Sequence, residues 1–246
     1  MRHIATLLLG SLLLAAAARA QDAPAAVHQE STSFLRRFSL VGRLSIMGRD
    51  LLRADKTVIS ETDYSYTDTT ESKSARVGAG PGLEFRATAK LSFSVDYLYH
   101  RFGSRRDTKT VTGSDSDEKT ATSLEKTRAT FWDLPVAAHY QVWQRKDSKT
   151  KAFASGGFAL RRVTGIHTAM EKTDADGNTC CIETPATPSH RSVRGVIVGA
   201  GLHAVDDFGI HVIPELRYIY WLNDTFAGPS AQSRRGELQL LVGFTF

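Results

Sequence analysis

The chain has 246 residues, 41% of them apolar and 23% charged, with two cysteines and a formal net charge of +5. This composition excludes a collagen-like repeat, a disulfide framework and a disordered chain. The lysines and arginines are interleaved with acidic residues, which argues against a nucleic-acid partner because such a partner requires basic residues clustered on one face.

The first twenty residues have the features of a secretory signal peptide. Arg2 supplies the positive start, an apolar core follows over residues 4–14, and Ala18-Arg19-Ala20 gives a small-x-small cleavage pattern before Gln21. The apolar run is shorter than the roughly 20 residues of a spanning helix, and no cysteine at the cleavage site could carry a lipid anchor. We therefore expect residues 1–20 to be removed on export.

Apolar and polar residues alternate along eight segments of the remaining chain. Successive side chains of a strand point to opposite faces, so this alternation predicts eight strands with one apolar and one polar face each. The fifth segment, residues 151–161, is the weakest of the eight because two glycines and several alanines blur its alternation. The apolar positions of the other seven are, in chain order, Phe38, Leu40, Leu44 and Ile46; Val77, Ala79, Leu83 and Phe85; Leu91, Phe93, Val95, Tyr97 and Tyr99; Trp132, Leu134, Val136, Tyr140 and Val142; Val196, Val198, Leu202 and Ala204; Phe208, Ile210, Val212, Leu216, Tyr218 and Tyr220; and Leu238, Leu240, Val242, Phe244 and Phe246.

None of these apolar faces carries a charged residue or a histidine. A lipid-facing charge at the middle of a bilayer costs about 2–4 kcal/mol, so the wall of a membrane barrel excludes charges. A tilted strand crosses the hydrocarbon in about 9–11 residues, which matches the length of the segments. The pattern predicts an all-β fold, an eight-stranded antiparallel up-and-down transmembrane barrel. A soluble lipocalin-like barrel, with its apolar face inward, is the rival fold.

The connections alternate between short and long. Residues 88–90, 144–150 and 206–207 form short turns, whereas residues 48–73, 103–127, 164–190 and 223–234 form long polar loops. The mixed-charge run over residues 105–126 is interpreted as a solvated loop or, alternatively, as a hairpin that continues two strands above the membrane. Aromatic residues lie near both ends of the strands, as interfacial aromatic residues do. The expected belt near the long loops contains Tyr97, Tyr99, Tyr218 and Tyr220, and the belt near the short turns contains Tyr140, Trp143, Phe208 and Phe246.

Three prolines lie inside predicted strands, at Pro81, Pro135 and Pro214. Each removes a ladder donor, and a closed barrel has no edge at which a proline is harmless. We expect local distortion of the strands, typically a bulge, at these positions.

The terminal run from Leu240 to Phe246 resembles the signal by which outer-membrane barrels are recognised for insertion. Trp132-Asp133-Leu134-Pro135-Val136, Ala154-Ser155-Gly156-Gly157 and Ile213-Pro214-Glu215-Leu216-Arg217-Tyr218 resemble strands of the small outer-membrane β-barrel domain family, which includes OmpA-like, OmpX-like, OmpW-like and PorT-like proteins. The resemblance implies a short periplasmic segment over residues 21–36 and an outer-membrane barrel domain over residues 37–246, with short periplasmic turns and long extracellular loops. It implies no single activity.

The polar faces of the segments would line the lumen. Eight strands enclose a space just wide enough for side chains to fill, so internal ion pairs are favoured over an open channel. The predicted lumen residues are Arg43, Arg76, Glu84, Arg86, Asp96, His139, Arg161, His203, His211, Glu215, Arg217 and Glu237.

Sites for chemistry are poorly supported by the sequence. His190-Arg191-Ser192 has the spacing of a lipid A deacylase-like pair, but the strand that follows lacks a carboxylate to orient the histidine. His100, His167 and His211 have no matching nucleophile nearby and are interpreted as ordinary polar residues. We therefore predict no catalytic, cofactor-binding or metal-binding residues and no cofactor.

Two features of the third long loop invite a metal or redox interpretation. Residues 174–178 hint at a calcium loop, but the glycine comes two positions early and Pro185 stands where a glutamate belongs, so a polar surface turn is favoured. Cys180 and Cys181 are adjacent, and either a labile vicinal disulfide or two free thiols would suit an exported chain.

These observations predict a non-enzymatic outer-membrane protein that acts structurally or through surface contacts of its four long loops, whose ligands the sequence does not name. An OmpW-like narrow pore or conduit for small solutes is the alternative, and a lipid A-modifying enzyme is a further one. The expected partners are outer-membrane lipid or lipopolysaccharide and, through Phe246, the barrel-insertion machinery.

Overall fold

The computed structural model describes residues 34–113, 117–144, 150–183, 188–205, 211–228 and 231–245. The chain divides into two units, residues 1–39 and residues 40–246. In the described part of the first unit, the rings of Phe34 and Phe38 meet edge to face with centroids 5.4 Å apart. The predicted signal peptide lies outside the described residues.

The described residues form fourteen strands, and no helix among them has the length and apolar character that crossing a bilayer requires. The strands are β1 (Phe38–Met47), β2 (Asp55–Glu61), β3 (Tyr64–Ser72), β4 (Val77–Arg86), β5 (Leu91–Asp96), β6 (Leu98–Thr112), β7 (Lys119–Gln144), β8 (Lys151–Thr173), β9 (Thr179–Glu183), β10 (Ser192–Val205), β11 (His211–Trp221), β12 (Ala227–Gly228), β13 (Ala231–Gln232) and β14 (Gly236–Thr245).

Eight strand positions, all within the described part of the chain, close into a hydrogen-bonded ring. In order around the ring they are β1, β4, β5 continued by β6, β7, β8, β10, β11 and β14, and β14 pairs again with β1. Strands β5 and β6 share one position because both pair with β4 and β7. Neighbours in the ring follow chain order and are antiparallel, which confirms the predicted up-and-down barrel.

The two faces of the wall have the predicted orientation. Apolar side chains such as Leu40, Val198 and Leu240 point outward and are exposed, whereas Arg43, Asp96 and Arg217 are buried in the lumen. A soluble barrel would show the reverse arrangement. The soluble lipocalin-like alternative is therefore wrong. Of the two predicted aromatic belts, the described members Tyr97, Tyr218, Tyr220, Tyr140 and Trp143 are exposed on the outside and Tyr99 is half-buried. Phe208 and Phe246 lie outside the described residues.

The three prolines disturb the wall as expected. Strand β5 ends at Asp96 and β6 begins at Leu98, and the residue between them, Tyr97, donates its N–H to the carbonyl of Pro81 at 2.8 Å. On the other side, the register of β7 with β5 and β6 places Pro135 opposite this break. The ladder between β10 and β11 is interrupted at Ile213 and Pro214. The register shifts of the β7–β8 ladder, however, lie away from the prolines, near Thr130 and Gln141.

The long connections are mostly strands, which corrects the expectation of loops and agrees with the alternative of a hairpin within residues 105–126. Strands β6, β7 and β8 continue past the ring and pair with one another along residues 104–112, 119–127 and 167–173. Strand β3 adds to β6, β2 adds to β3, and β9 adds to β8. We call these residues (55–72, 104–112, 119–127, 167–173 and 179–183) the extension. The fourth long connection contains the short hairpin β12–β13.

Apolar side chains close the end of the lumen nearest the extension, which we call the loop end; the opposite end, with the short turns, is the turn end. The cluster contains Met47, Leu51, Leu52, Phe102, Ala129, Phe131, Val163 and Phe226. Leu51 and Leu52 come from the segment after β1, where Leu52 bridges Ser233, and the ring of Phe226 stacks on Phe102 at 5.4 Å. Two connections thus fold together over the lumen as a cap.

Candidate functional site

The lumen holds a first layer of charges, the turn-side layer, that links three strands of the ring. Asp96 of β5 accepts a hydrogen bond from Arg43 Nε of β1 and another from Arg217 Nη1 of β11, both at 3.1 Å. Arg217 Nη2 also donates to Glu215 Oε2 at 2.8 Å, and Ser155 Oγ donates to Glu215 Oε1 at 2.6 Å. All four charged side chains are buried, so each carboxylate depends on an arginine to offset its lost hydration.

Glycines in the wall provide the space for this layer. A Cβ atom at Gly82 would collide with the Asp96 carboxylate, and one at Gly243 would collide with the Arg43 guanidinium. Gly199 gives room in the same way to Ser155 and Arg217. Large charged side chains therefore fit in a narrow barrel because the facing residues have no side chains.

A second layer, the loop-side layer, is centred on Arg161 of β8. Its guanidinium donates to both Asp133 oxygens at 2.8 Å and to Glu237 Oε2 at 2.7 Å. Trp221 Nε1 donates to the same Glu237 oxygen at 3.1 Å. The guanidinium carbon lies 4.1 Å from the Trp221 ring centre and 4.4 Å from that of Phe131, both distances at which a cation–π attraction operates. This layer ties β7, β8, β11 and β14 together.

A small cavity remains at the turn end. Its volume is about 70 Å³, and its lining includes Glu84, Arg86, Lys151, His139 and His203. The ring of His203 meets that of His211 at 5.0 Å. The cavity borders the turn-side layer through His139, whose Nε2 lies 3.7 Å from a Glu215 oxygen. It is a polar entrance that ends at a charged layer.

The structure places most of the predicted lumen residues inside the barrel. Arg43, Asp96, His139, Arg161, Glu215, Arg217 and Glu237 are buried, and Glu84, His203 and His211 lie at the turn end. One prediction is wrong, because Arg76 is exposed and pairs outside the lumen with Asp50 at 3.1 Å. Arg86 is exposed at the end of β4 and lines the cavity at the turn end.

Asp133 and His100 were missing from the predicted lumen set although both belong to the loop-side layer. His100 stacks on Phe131 at 4.9 Å and lies 3.8 Å from an Asp133 oxygen. The signal was present in the sequence, since each residue stands on the polar face of its segment, His100 four positions from Asp96 and Asp133 six positions from His139. A rule that assigns every polar-face residue of a segment to the lumen would have included both Asp133 and His100.

The deacylase-like pair is not assembled into a catalytic site. His190 and Ser192 are exposed, and His190 Nδ1 lies 3.0 Å from the backbone carbonyl oxygen of Asp224. The Asp224 carboxylate pairs with Arg235 at 2.7 Å, and that pairing lowers its pKa. Among the described residues, no hydrogen bond joins His190 to Ser192.

The remaining candidate sites are surface features. Asp174 accepts a hydrogen bond from the Asn178 side-chain amide at 3.2 Å, and this bond, together with those from the backbone N–H groups of Asn178 and Asp176 at 2.8 and 3.0 Å, lowers its pKa. These contacts form a polar turn with Gly177 at φ 85°. Cys180 and Cys181 are free and exposed in β9. Pro185 lies outside the described residues, and no group of three or more ligating side chains within them could hold a metal ion.

A protein-family model matches most of the chain. The family model described as "Outer membrane protein beta-barrel domain" matches residues 20–227. No curated protein matches the chain.

Among solved structures, the chain is similar to Neisserial surface protein A (NspA), with 15% identity, 85% of this chain and 97% of that chain covered, and a TM-score of 0.38. It is also similar to Ail of Yersinia pestis in complex with the heparin analogue sucrose octasulfate (10% identity, 85% and 97% covered, TM-score 0.35). A third is the N-terminal β-barrel domain of Pseudomonas aeruginosa OprF (12% identity, 85% and 98% covered, TM-score 0.30).

Proposed function

Because the chain belongs to the outer membrane protein beta-barrel domain family, and is therefore an integral protein of the outer membrane, we propose that it acts as a closed, non-enzymatic barrel. In this proposal the barrel anchors the extension outside the cell, where its polar strands make surface contacts or support the envelope. The observation that carries the proposal is the pair of charged layers across the lumen.

The two layers and the cap support closure at three successive levels. Arg217 reaches from β11 to Asp96 of β5, and Arg161 reaches from β8 to Glu237 of β14, so each layer joins strands that are not neighbours in the ring. Separating such a buried pair leaves a charge without a partner, which costs about 3–5 kcal/mol. An ion or solute would have to open both layers and then displace the cap.

An OmpW-like narrow pore is the second candidate function, and the polar cavity at the turn end favours it. The cavity opens near charged side chains, Arg86 and Lys151 among them, that would attract a small anion. Such a pore would require the Arg217–Glu215 contact to break and reform. The lipid A-modifying alternative has less support, since His190 contacts a backbone carbonyl rather than a nucleophile.

Conductance of the refolded protein in a planar bilayer distinguishes the closed barrel from the narrow pore. We expect no discrete openings from the unmodified chain, and no openings from the control variant R105Q/D107N, whose exposed ion pair lies in the extension. Removing the loop-side charges together in R161M/D133N/E237Q, without leaving a buried charge, is expected to weaken closure.

Discrete openings of uniform size in the unmodified chain, or passage of small sugars into liposomes that contain it, would contradict the closed barrel and support the pore. Closure in the unmodified chain together with loss of an acyl chain from added lipid A would instead support the enzyme.

Two partners of the barrel remain proposals. The alternation predicted for the C-terminal run is present in β14, where Leu238 and Leu240 point outward and Gln239 and Leu241 point inward. This supports recognition of the C-terminal end by the insertion machinery, although Phe246 itself lies outside the described residues. The exposed apolar wall supports contact with outer-membrane lipid or lipopolysaccharide.

A further inference from the structure

Four arginines point away from the lumen on four neighbouring strands at the loop end. They are Arg101 of β6, Arg128 of β7, Arg162 of β8 and Arg194 of β10, and all four are exposed. Each has a chain neighbour that is buried in the lumen, which places the arginine on the opposite face of its strand. Those buried neighbours are Phe102, Ala129, Arg161 and Val193. We call the four residues the arginine band.

The arginine band borders the aromatic belt of the loop end. Arg162 pairs across the ladder with Trp132, and Arg101 Nε lies 3.4 Å from the hydroxyl oxygen of Tyr99. Arg194 stands two pairs beyond the pair formed by Val196 and Tyr220, on the same face of the sheet. Tryptophan and tyrosine rings of membrane proteins lie at the level of the lipid headgroups. The band therefore lies at the height of the headgroups, on the side that faces lipid.

No carboxylate of the described residues forms an ion pair with any arginine of the band. The cross-strand neighbours of the band on this face are uncharged: Trp132, Thr130, Gly103, Leu160, Ser192 and Leu222, with His167 beside Arg128. Farther along β6, by contrast, Arg105 pairs with Asp107 at 2.8 Å. The guanidinium groups of the band are thus available to an external anion, whereas those of the extension are already paired.

We propose that the arginine band binds phosphate groups of lipid headgroups in the outer leaflet. A guanidinium offers a planar pair of donors that matches two phosphate oxygens. Arg162 and Arg194 are diagonal neighbours across the β8–β10 ladder, which places them about 7–8 Å apart at the backbone and lets two side chains meet one headgroup. A lipid is favoured over a soluble anion because the same face continues into Leu160 and Leu134, which acyl chains cover.

The band is also one-sided. At the corresponding end of β14, β1 and β4, the outward positions are Gly236, Ile46, Gly48 and Val77, none of them charged. A headgroup bound at this site would therefore contact one side of the barrel, the side that carries the strands of the extension.

Tryptophan quenching by brominated lipids measures this preference directly. Trp132 faces lipid beside Arg162, whereas Trp221 is buried in the lumen and Trp143 is exposed at the turn end. In a W143F parent refolded into phosphatidylcholine vesicles, we expect phosphatidic acid brominated near the headgroup to quench Trp132 more than brominated phosphatidylcholine at the same mole fraction. An arginine near an anionic surface gives about a five-fold preference.

The variant R162Q/R194Q in the same parent is expected to lose most of this preference. The matched control R49Q/R53Q removes two exposed arginines elsewhere and is expected to keep it. All four substituted residues are exposed. A difference in gel mobility between the folded and the unfolded form of each variant checks that the variant is a folded barrel.

Equal quenching by the two lipids in the parent, or a preference that survives in R162Q/R194Q, would overturn the proposal. Equal quenching by the two lipids together with binding of inorganic phosphate that R162Q/R194Q abolishes would also overturn it, because the site would then bind free phosphate instead of a lipid. The quenching measurement does not depend on conductance. A negative result for lipid binding therefore leaves the proposed closed barrel untouched, and open channels would leave the proposed lipid site untouched.

Discussion

The barrel wall and the extension are built from the same strands but obey different rules. Strands β6, β7 and β8 run through both regions. In the wall, apolar side chains alternate with polar ones because one face meets acyl chains and the other fills the lumen. In the extension, threonine, serine and charged residues occupy both faces because both meet water. The difference shows that the surroundings of a strand, more than its pairing, set its residue pattern.

Ion pairs in the two regions illustrate this difference. Arg161 and Asp133 in the wall are buried, whereas Arg106 and Asp68 in the extension retain 26% and 15% of their side-chain exposure. Their geometries are otherwise alike, since both arginines donate two hydrogen bonds to one carboxylate at 2.7–2.9 Å. Water can replace the partner in the extension but not in the lumen.

The largest expected effect comes from removing Arg161. R161M leaves Asp133 and Glu237 buried without their cation, and we expect a loss of about 3–5 kcal/mol in the free energy of unfolding. The matched change R106M in the extension is expected to cost at most about 1 kcal/mol. Urea titration of both variants in lipid vesicles measures the difference.

The variant R161M/D133N/E237Q sharpens this result, because it removes the unpaired charges and is expected to regain much of the lost stability. Equal losses for R161M and R106M would break the contrast between the two regions.

A smaller effect is expected from a lysine on the outer surface. Val198 in β10 and Val58 in β2 are equally exposed, at 56% and 57%. We expect V198K to lose about 2–4 kcal/mol, because its charge faces acyl chains near the middle of a wall strand. We expect V58K to change stability by no more than about 0.5 kcal/mol. The same urea titration measures both variants, and a tolerated V198K would show that this face meets water.

The smallest expected effect concerns pH and the extension. The hydrogen bonds from Arg106 lower the pKa of Asp68 below its ordinary value of 3.8. The carboxylate therefore stabilises the extension above pH 3.8, and this contribution disappears as the pH falls through the lower pKa of the folded state. Because the pair is partly exposed, its contribution to the stability of the extension is about 0.2–1 kcal/mol.

Hydrogen-exchange protection of the β3–β6 amides, followed as the pH is lowered, measures this contribution. In D68N the protection is expected to be lower at neutral pH and to lose this pH dependence, while amides of the β10–β11 ladder serve as an internal control. An unchanged profile in D68N would mean that the pair contributes nothing to the extension.

The faces of the wall could be predicted from the sequence because acyl chains exclude charge from the middle of every wall strand. A charged residue on the outward face of a predicted strand would have been visible in the sequence. In β14, for example, the outward residues Leu238, Leu240 and Phe244 are all apolar. The position of the chain turns was equally clear at residues 88–90, where the N–H of Thr88 donates to the carbonyl of Leu91 at 3.0 Å.

The extension could not be predicted in the same way. The segment from Tyr64 to Ser72 carries polar residues on both faces, so it shows no alternation to distinguish a strand from a loop. The sequence also could not predict which charged residues pair with one another across the lumen. Asp96 meets Arg217 over 121 positions of the chain, and only closure of the ring brings them together.

The glycines that face the charged layers have a consequence for how the barrel tolerates change. Most outward positions accept any apolar side chain, since acyl chains adapt to its shape. Gly82 and Gly243 accept not even a methyl group without moving Asp96 or Arg43. Variants of this barrel should therefore drift freely in the wall, whereas a larger residue at Gly82 or Gly243 requires the charged layer to shift.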